Sequence, residues 1–381
     1  MNNNQSGDSL KDYARILIVL PGLGAGGTEH VVSGLANHWN KLGHHVTLIT
    51  FESPEAKLYY KLDTGINIKR LGLPPRRFSK LRAAYAVLQR LCLLRSAIKE
   101  VAPDVTISFL TRTNVLTLLA TRGLKIPVVV SERNNPDLQP FGIAWKWLRK
   151  RLYPRAFGLV TMTRGSLDYF PQKMRARGWV IANSVDLPVG WRRKRGHSTL
   201  TAVGRLTHQK GFDLLLDAFA KIAPQFPDWT LVIWGDGEDR SKLEAQRDSL
   251  NLQGRLKMPG ITNKPGIWVE TADAFVLSSR YEGWGIVLLE AMAAELPVVS
   301  FDCEWGPRAM VTDGHDGLLV PLGDINALAE ALAKVLSDAR LREQLAANAA
   351  VTAQRYTPER IMADWDEVLG AVLRKQPATG T

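Results

Sequence analysis

ILIVLPGLGAGGTEH, residues Ile16–His30, runs from an apolar, β-branched segment through a proline and a cluster of glycines into a helical pattern. Uninterrupted Ile, Leu and Val fit a strand covered on both faces, as a parallel sheet requires. Gly22, Gly24 and Gly27 are spaced G-x-G-x-x-G, and glycines there let a phosphate or another backbone come close. Glu52 ends the next expected strand. Strand, glycine turn, helix and acid outline a dinucleotide-binding unit, so an NAD(P)-dependent oxidoreductase is one reading. A turn that is tight and nothing more is another. The run follows a polar leader and flows into the loop, so it reads as a strand and not a signal peptide.

Outward from this unit, short β-branched runs alternate with helical patterns. Strands are expected at 15–20, 45–51, 105–109, 127–131 and 158–163. "SVDLPVGWRRKRGHST" (Ser184–Thr199) then breaks the alternation with Pro, Gly and a solvated basic run. The pattern restarts at 200–203, 230–234, 255–258, 274–277 and 297–300. The expected fold is α/β: two Rossmann-like, doubly wound parallel-sheet domains facing a cleft. The expected boundaries are 1–183, a linker at 184–199, a second domain at 200–355, and a C-terminal helix and tail at 356–381 that can pack back on the first domain. Ligands of such sheets lie outside the carboxyl ends of strands.

The 381 residues carry a formal charge of +12, distributed unevenly. Residues 1–183 hold 27 Lys/Arg against 11 Asp/Glu, and the remainder 22 against 26. An anionic membrane, nucleic acid or an anionic substrate would each suit the basic half. Cys92 and Cys303 are the only cysteines, which leaves no disulfide framework or thiolate zinc cluster and fits a reducing compartment. No apolar run approaches the roughly 20 residues that cross a bilayer.

Chemistry concentrates in the second half. "RYEGWGIVLLEAMAAELPVV" (Arg280–Val299) places Glu282 and Glu290 on either side of an expected helix start after Gly285. Unpaired N–H groups and the positive dipole end there suit an anion, and flanking carboxylates suit hydroxyls attached to it. A nucleotide sugar has that layout. "VGRLTHQKGF" (Val203–Phe212) follows the first strand of the same domain, with Arg205 and Lys210 as two cations for a diphosphate. Metal-ligand spacing is poor. Asp364–Asp366 is the only Asp-x-Asp, in a helical pattern that reads as a solvated face, and His44, His45, His197, His208 and His315 read as structural or exposed.

Together, "GGTE" (Gly26–Glu29), "GRLTHQKG" (Gly204–Gly211), "GDGED" (Gly235–Asp239), Glu282-x7-Glu290 and "GPRAMVTDGHDGLLVP" (Gly306–Pro321) resemble family 4 of the retaining glycosyltransferases, which have the GT-B fold. The resemblance implies a metal-independent transferase that needs no cofactor and uses a UDP-sugar donor. By that likeness Arg205 and Lys210, beside Gly204 and Gly235, grip the diphosphate. Glu282 binds the transferred sugar, with Gly283 and Trp284 beside it, and Glu290 binds the ribose. Backbone around Gly285, Ile286, Val287 and Leu288 cradles phosphate, Gly260 and Ile261 hold the base, and Gly26 and Gly27 meet the donor from the first domain. Where many members have a histidine near the reacting carbon, this chain has Glu132 and Arg133. A role in catalysis and a structural pairing are both open for them. A sugar phosphorylase or epimerase on the same fold is a further alternative.

The basic charge has two focal segments. Residues 76–100 carry a leucine stripe bordered by Arg76, Arg77 and Lys80, and 143–155 carry Trp145, Trp147 and Arg149 among further cations. Basic amphipathic segments with interfacial aromatics suit an anionic membrane surface and an acceptor that is lipid-linked or an oligosaccharide. The bland alternative is a leucine stripe packed on the sheet. No nucleic-acid module is recognisable. The expected setting is cytoplasmic, peripheral on the inner face of the plasma membrane, in surface polysaccharide synthesis.

Overall fold

Alternate residues of each central strand divide between the two faces of a sheet, and both faces are buried. In β1 (Arg15–Leu20), Ile16, Ile18 and Leu20 enter one apolar cluster and Leu17 and Val19 another. The computed structural model describes residues 13–73, 80–139, 142–185, 196–262, 264 and 266–374. Side chains at 80–84 are outside that description, as are most of the expected linker (186–195) and the tail after 374.

β1 is joined by β2 (His45–Thr50), β3 (Asn67–Arg70), β4 (Val105–Phe109), β5 (Val128–Ser131), β6 (Gly158–Thr161) and β7 (Gly178–Val180). All pair in parallel, in the order β3-β2-β1-β4-β5-β6-β7, with Ile18 opposite Leu48 on one side and Ile107 on the other. The second sheet contains β8 (Thr199–Val203), β9 (Thr230–Trp234), β10 (Leu256–Gly260), β11 (Ala274–Leu277), β12 (Val298–Phe301) and β13 (Leu318–Val320). Its order is β10-β9-β8-β11-β12-β13, again all parallel. Helices cover both faces because parallel neighbours need long crossovers. Each sheet reverses its winding direction beside its first strand, and crevices at such points hold ligands.

Ten strands stand where the sequence places them, within two residues at either end. β3, β7 and β13 escape sequence reading. All three are edge strands of three or four residues: β3 and β7 are partly solvated, and β13, though apolar and mostly buried, is only Leu318–Val320, too short a run to mark a strand.

The last helix, Pro358–Leu373, packs against the first sheet. Trp365 is fully buried between Phe109 and Trp39, in one cluster with Ile16, Leu35 and Ile107. This corrects the solvated reading of Asp364–Asp366. Asp364 is exposed, but Asp366 accepts from Trp39 Nε1 at 2.8 Å and lies 2.9 Å from His38 Nε2.

Candidate active site

β8 ends at Val203 and the chain turns through Gly204 and Arg205 into a short 3-10 turn, His208–Lys210. Gly211, at φ +61°, lets this loop lie against the Ser278 carbonyl, where any side chain would collide. The loop is thereby pinned to the exit of β11, and Ser278 Oγ donates to the Lys210 carbonyl at 2.9 Å. Lys210 Nζ meets Glu282 Oε1 at 2.6 Å, and Ser279 Oγ donates to the same oxygen at 2.6 Å. Both charged groups are largely buried, so their attraction is less screened than in a surface bridge. Arg205 is exposed and close enough to Tyr281 and to Glu29 of the first domain to bias their ionisation.

Gly285 caps the helix Ile286–Ala293 in the left-handed conformation, at φ +91°. No side chain occupies the cap, so the N–H groups that open the helix are left for another acceptor. Trp284 is buried against Tyr356, which fixes the Gly-Trp-Gly knot from behind. One turn into the helix, the Glu290 carboxyl is pushed up to about 7, chiefly by loss of solvent and partly offset by a hydrogen bond from Trp268.

The first domain closes on these loops. A side-chain carbon at Gly27 would sit 3.0 Å from Ile286 Cγ2, so the glycine loop faces the helix start. Gly283 touches the backbone of Arg133 and Asn134. Tyr59 binds Thr262, with its hydroxyl 2.7 Å from Thr262 Oγ1, just beyond Gly260 and the exposed Ile261. Gly26, Gly27, Gly204, Arg205, Lys210, Gly235, Glu282–Ile286 and Glu290 are thus drawn to one cleft at the second domain's switch point.

Other expected residues lie elsewhere. Glu132 and Arg133 are turned into the first domain, a correction to any direct contact with substrate. Glu132 is 1% exposed and accepts from Thr111 Oγ1 and from Tyr153, and burial raises its pKa. Arg133, 8% exposed, is wedged between Phe109 and Trp365 and donates to Asn183 Oδ1 at 3.0 Å. Burial alone pulls its pKa down to about 9. The two do not pair with each other; they hold the loop whose backbone abuts Gly283.

Arg149 is also buried, a second correction: it donates to the Pro136 carbonyl and to Tyr169 Oη, so it is not on a surface. Trp145 is half-buried under Arg112, whereas Trp147 is 62% exposed. Arg76, Arg77 and the Lys80 side chain lie outside the described residues. In the leucine stripe, Leu94 and Ile98 pack on the sheet but Leu88 is exposed.

Glu52 bears on the dinucleotide alternative. Its carboxylate accepts from Leu23 N at 2.8 Å and from Arg70 Nε at 3.1 Å, so it ties down its own glycine loop. A ribose would have to displace those partners. Sequence reading also missed Tyr59 and Tyr60 on the first-domain side, which lie near Glu29 of the GGTE motif. Burial, then the charges of Glu290, Tyr59 and Glu29, holds the Tyr60 phenol high, which places it across the cleft beside Glu290. No spacing rule flags two tyrosines in a loop.

Two parallel-sheet lobes closing on a helix start, with a Lys–Glu pair at the switch point, define a glycosyltransferase of the GT-B class. A family profile described as "Glycosyl transferase 4-like domain" matches residues 26–184, and one described as "Glycosyl transferases group 1" matches 189–352. The chain belongs to this glycosyltransferase family. It is similar, at 29% identity over 94% of its length and 99% of the relative's, to a Campylobacter jejuni N-acetylgalactosaminyltransferase named for an undecaprenol-diphosphate-linked acceptor. Its fold is that of a sucrose-phosphate synthase from Thermosynechococcus elongatus (TM-score 0.82, 18% identity, 96% of this chain and all of that one). HepE from Anabaena, solved with UDP and glucose, has the same fold (TM-score 0.75, 20% identity, 94% and 100% covered).

Proposed function

We propose that this glycosyltransferase moves a hexose or N-acetylhexosamine from a UDP-sugar to a glycan carried on a polyprenyl diphosphate, with retention at the anomeric carbon and without a metal. The observation that carries the reading is the Lys210–Glu282 pair set beside the uncapped helix start at Gly285. A departing nucleoside diphosphate gathers negative charge, and Lys210, Arg205 and the first-turn amides are fixed donors for it. Glu282, already oriented by Ser279, is an acceptor for sugar hydroxyls, and Glu290 for a ribose. Supporting the nucleotide and the lipid-linked acceptor are the UDP in the HepE complex and the acceptor in the Campylobacter relative's name.

Ile143 (87% exposed) and Trp147 (62%) share a helix with exposed Lys146, Lys150 and Arg151, a basic face suited to an anionic bilayer. Among the described residues no helix is long and apolar enough to cross a membrane.

The test is a thermal-shift panel of nucleotide sugars, followed by UDP release with lipid-diphosphate acceptors in the presence of chelator. Stabilisation by UDP-sugars and chelator-resistant turnover, with an α-linked product from an α-linked donor by NMR, are expected. Turnover that stops in chelator and returns with magnesium or manganese would remove the metal-free mechanism.

A further inference from the structure

Glu132 is a buried carboxyl for which the proposed transfer chemistry has no use. It stands at the exit of β5 in the first domain, and its bonds come from hydroxyls. Thr111 Oγ1 donates to Oε2 at 2.8 Å and lies 3.0 Å from Oε1, to which Tyr153 donates. Asn114 Nδ2 ties this network to the sheet, donating to Tyr153 Oη and to the Ser131 carbonyl, both at 3.0 Å. Thr111, Asn114 and Tyr153 are themselves buried. Burying a carboxyl is costly even among donors, and an apolar filling of the same volume is often no less stable.

The backbone is strained to complete the arrangement. Leu110, at φ +72°, turns the chain between β4 and the helix that begins at Thr111. A leucine in that region costs about 1–3 kcal/mol and persists only where its surroundings hold it.

What the network anchors is the segment that follows. Arg133 Nη1 donates to Asn183 Oδ1 at 3.0 Å, and Asn135 Oδ1 accepts the amides of Asp137 and Leu138, both at 3.0 Å. Arg149 Nη1 donates to the Pro136 carbonyl at 2.9 Å. Residues 132–138 are thereby fixed at successive points, with one stretch of backbone laid on the second domain. A side-chain carbon at Gly283 would come within 2.6 Å of Asn134 Cα and 3.0 Å of the Arg133 carbonyl oxygen. From the other side, one at Gly306 would come within 2.8 Å of Glu282 Cβ. Glu282 and Gly283 are gripped between the Gly306 turn and the first-domain segment.

We infer that Glu132 is a positioning residue: through Thr111 and Tyr153 it sets the Arg133–Asn134 backbone against Gly283, and so aims Glu282 at the sugar of the donor. The inference rests on the proposed transferase reading and adds to it a first-domain determinant of sugar binding. Glu132 itself touches no substrate. A misaimed Glu282 weakens the hold on the transferred sugar and leaves UDP alone, because UDP carries no such sugar.

Calorimetric titration of the full chain with UDP, UDP-glucose and UDP-N-acetylglucosamine tests this. Wild type should bind UDP and at least one of the two UDP-sugars. Tyr153→Phe and Thr111→Val each remove a donor to Glu132 with little change of shape; the second serves if the first does not melt cooperatively. Affinity for the UDP-sugar should fall about tenfold, the scale of one hydrogen bond to a charged group, with UDP affinity unchanged. Gly283→Ala should give the same loss from the other side of the contact, and combining it with Tyr153→Phe should add little. Unaltered UDP-sugar affinity in a folded variant, a loss shared equally by UDP, or fully additive losses would overturn the positioning role. Failure of wild type to bind UDP or either UDP-sugar would instead overturn the underlying reading.

Discussion

At the scale of single residues, Lys210 is where sequence and structure agree most closely. It was legible because it sits in a short contiguous loop after a strand, so local spacing suffices to place it. Lys210→Ala should lower kcat about 10²–10³-fold, the effect of losing one fixed donor to a developing anion, and leave Glu282 without its cation. Full turnover in that variant would refute the assignment.

Glu290 makes a pH prediction. Its folded-state pKa of about 7 exceeds the 4.5 of the free carboxyl, so the folded chain binds more protons in that window. This group's contribution to stability is therefore fully present below about pH 4.5 and is lost as pH rises through 7, by roughly 3 kcal/mol at most. Urea melts of Glu290→Gln across pH 5–8 should show a shallower decline than wild type; parallel curves would contradict the shift. Glu132 and Arg133 show the limit of local reading. Their sequence leaves a catalytic role and a structural pairing both open; Arg133 is drawn inward by Trp365, more than two hundred positions away, and no spacing rule reaches that far.

At the scale of elements, loops are fixed by backbone contacts as much as by side chains. Gly235, at φ +139°, lies against the Gly204 carbonyl and joins the exits of β9 and β8. Gly235→Ala combines backbone strain with a collision, and should destabilise the protein by about 1–3 kcal/mol while raising the KM for donor more than that for acceptor. Chemical denaturation and two-substrate kinetics would measure both.

Central strands were legible because burial on both faces writes itself as continuous β-branched runs; the edge strands β3, β7 and β13 are too short or too solvated to carry that signature. Amphipathic patterning gave the helices near 80–101 and 143–152, but not which side each presents. The buried Arg149 and exposed Trp147 of the second are two positions apart. Replacing Ile143 and Trp147 with Ser should abolish co-sedimentation with anionic phospholipid vesicles without changing UDP affinity. Retained sedimentation would place the membrane contact elsewhere.

At the scale of the whole molecule, two similar folds meet along a line of contacts: Gly27 with Ile286, Tyr59 with Thr262, Gly283 with Asn134, and Trp305 with Tyr169 at 6.1 Å. The two-lobed architecture was readable from the alternation of strand and helix patterns and the break between halves. The pairing of surfaces was not, because it depends on how loops from both lobes are aimed. Trp365→Ala should cost about 3–5 kcal/mol, the range for emptying a large aromatic site, with the loss seen as a lower melting temperature by circular dichroism. A change within half a kilocalorie per mole would mean that the site collapses without penalty.

The same helix has a consequence for biosynthesis. Residues that complete the amino-terminal core are translated after the whole of the other lobe, so the first lobe emerges with an apolar groove open to water and is sealed only after its neighbour has been made. An amino-terminal half produced alone should therefore be prone to clumping, and supplying residues 358–373 as a separate peptide should rescue its solubility.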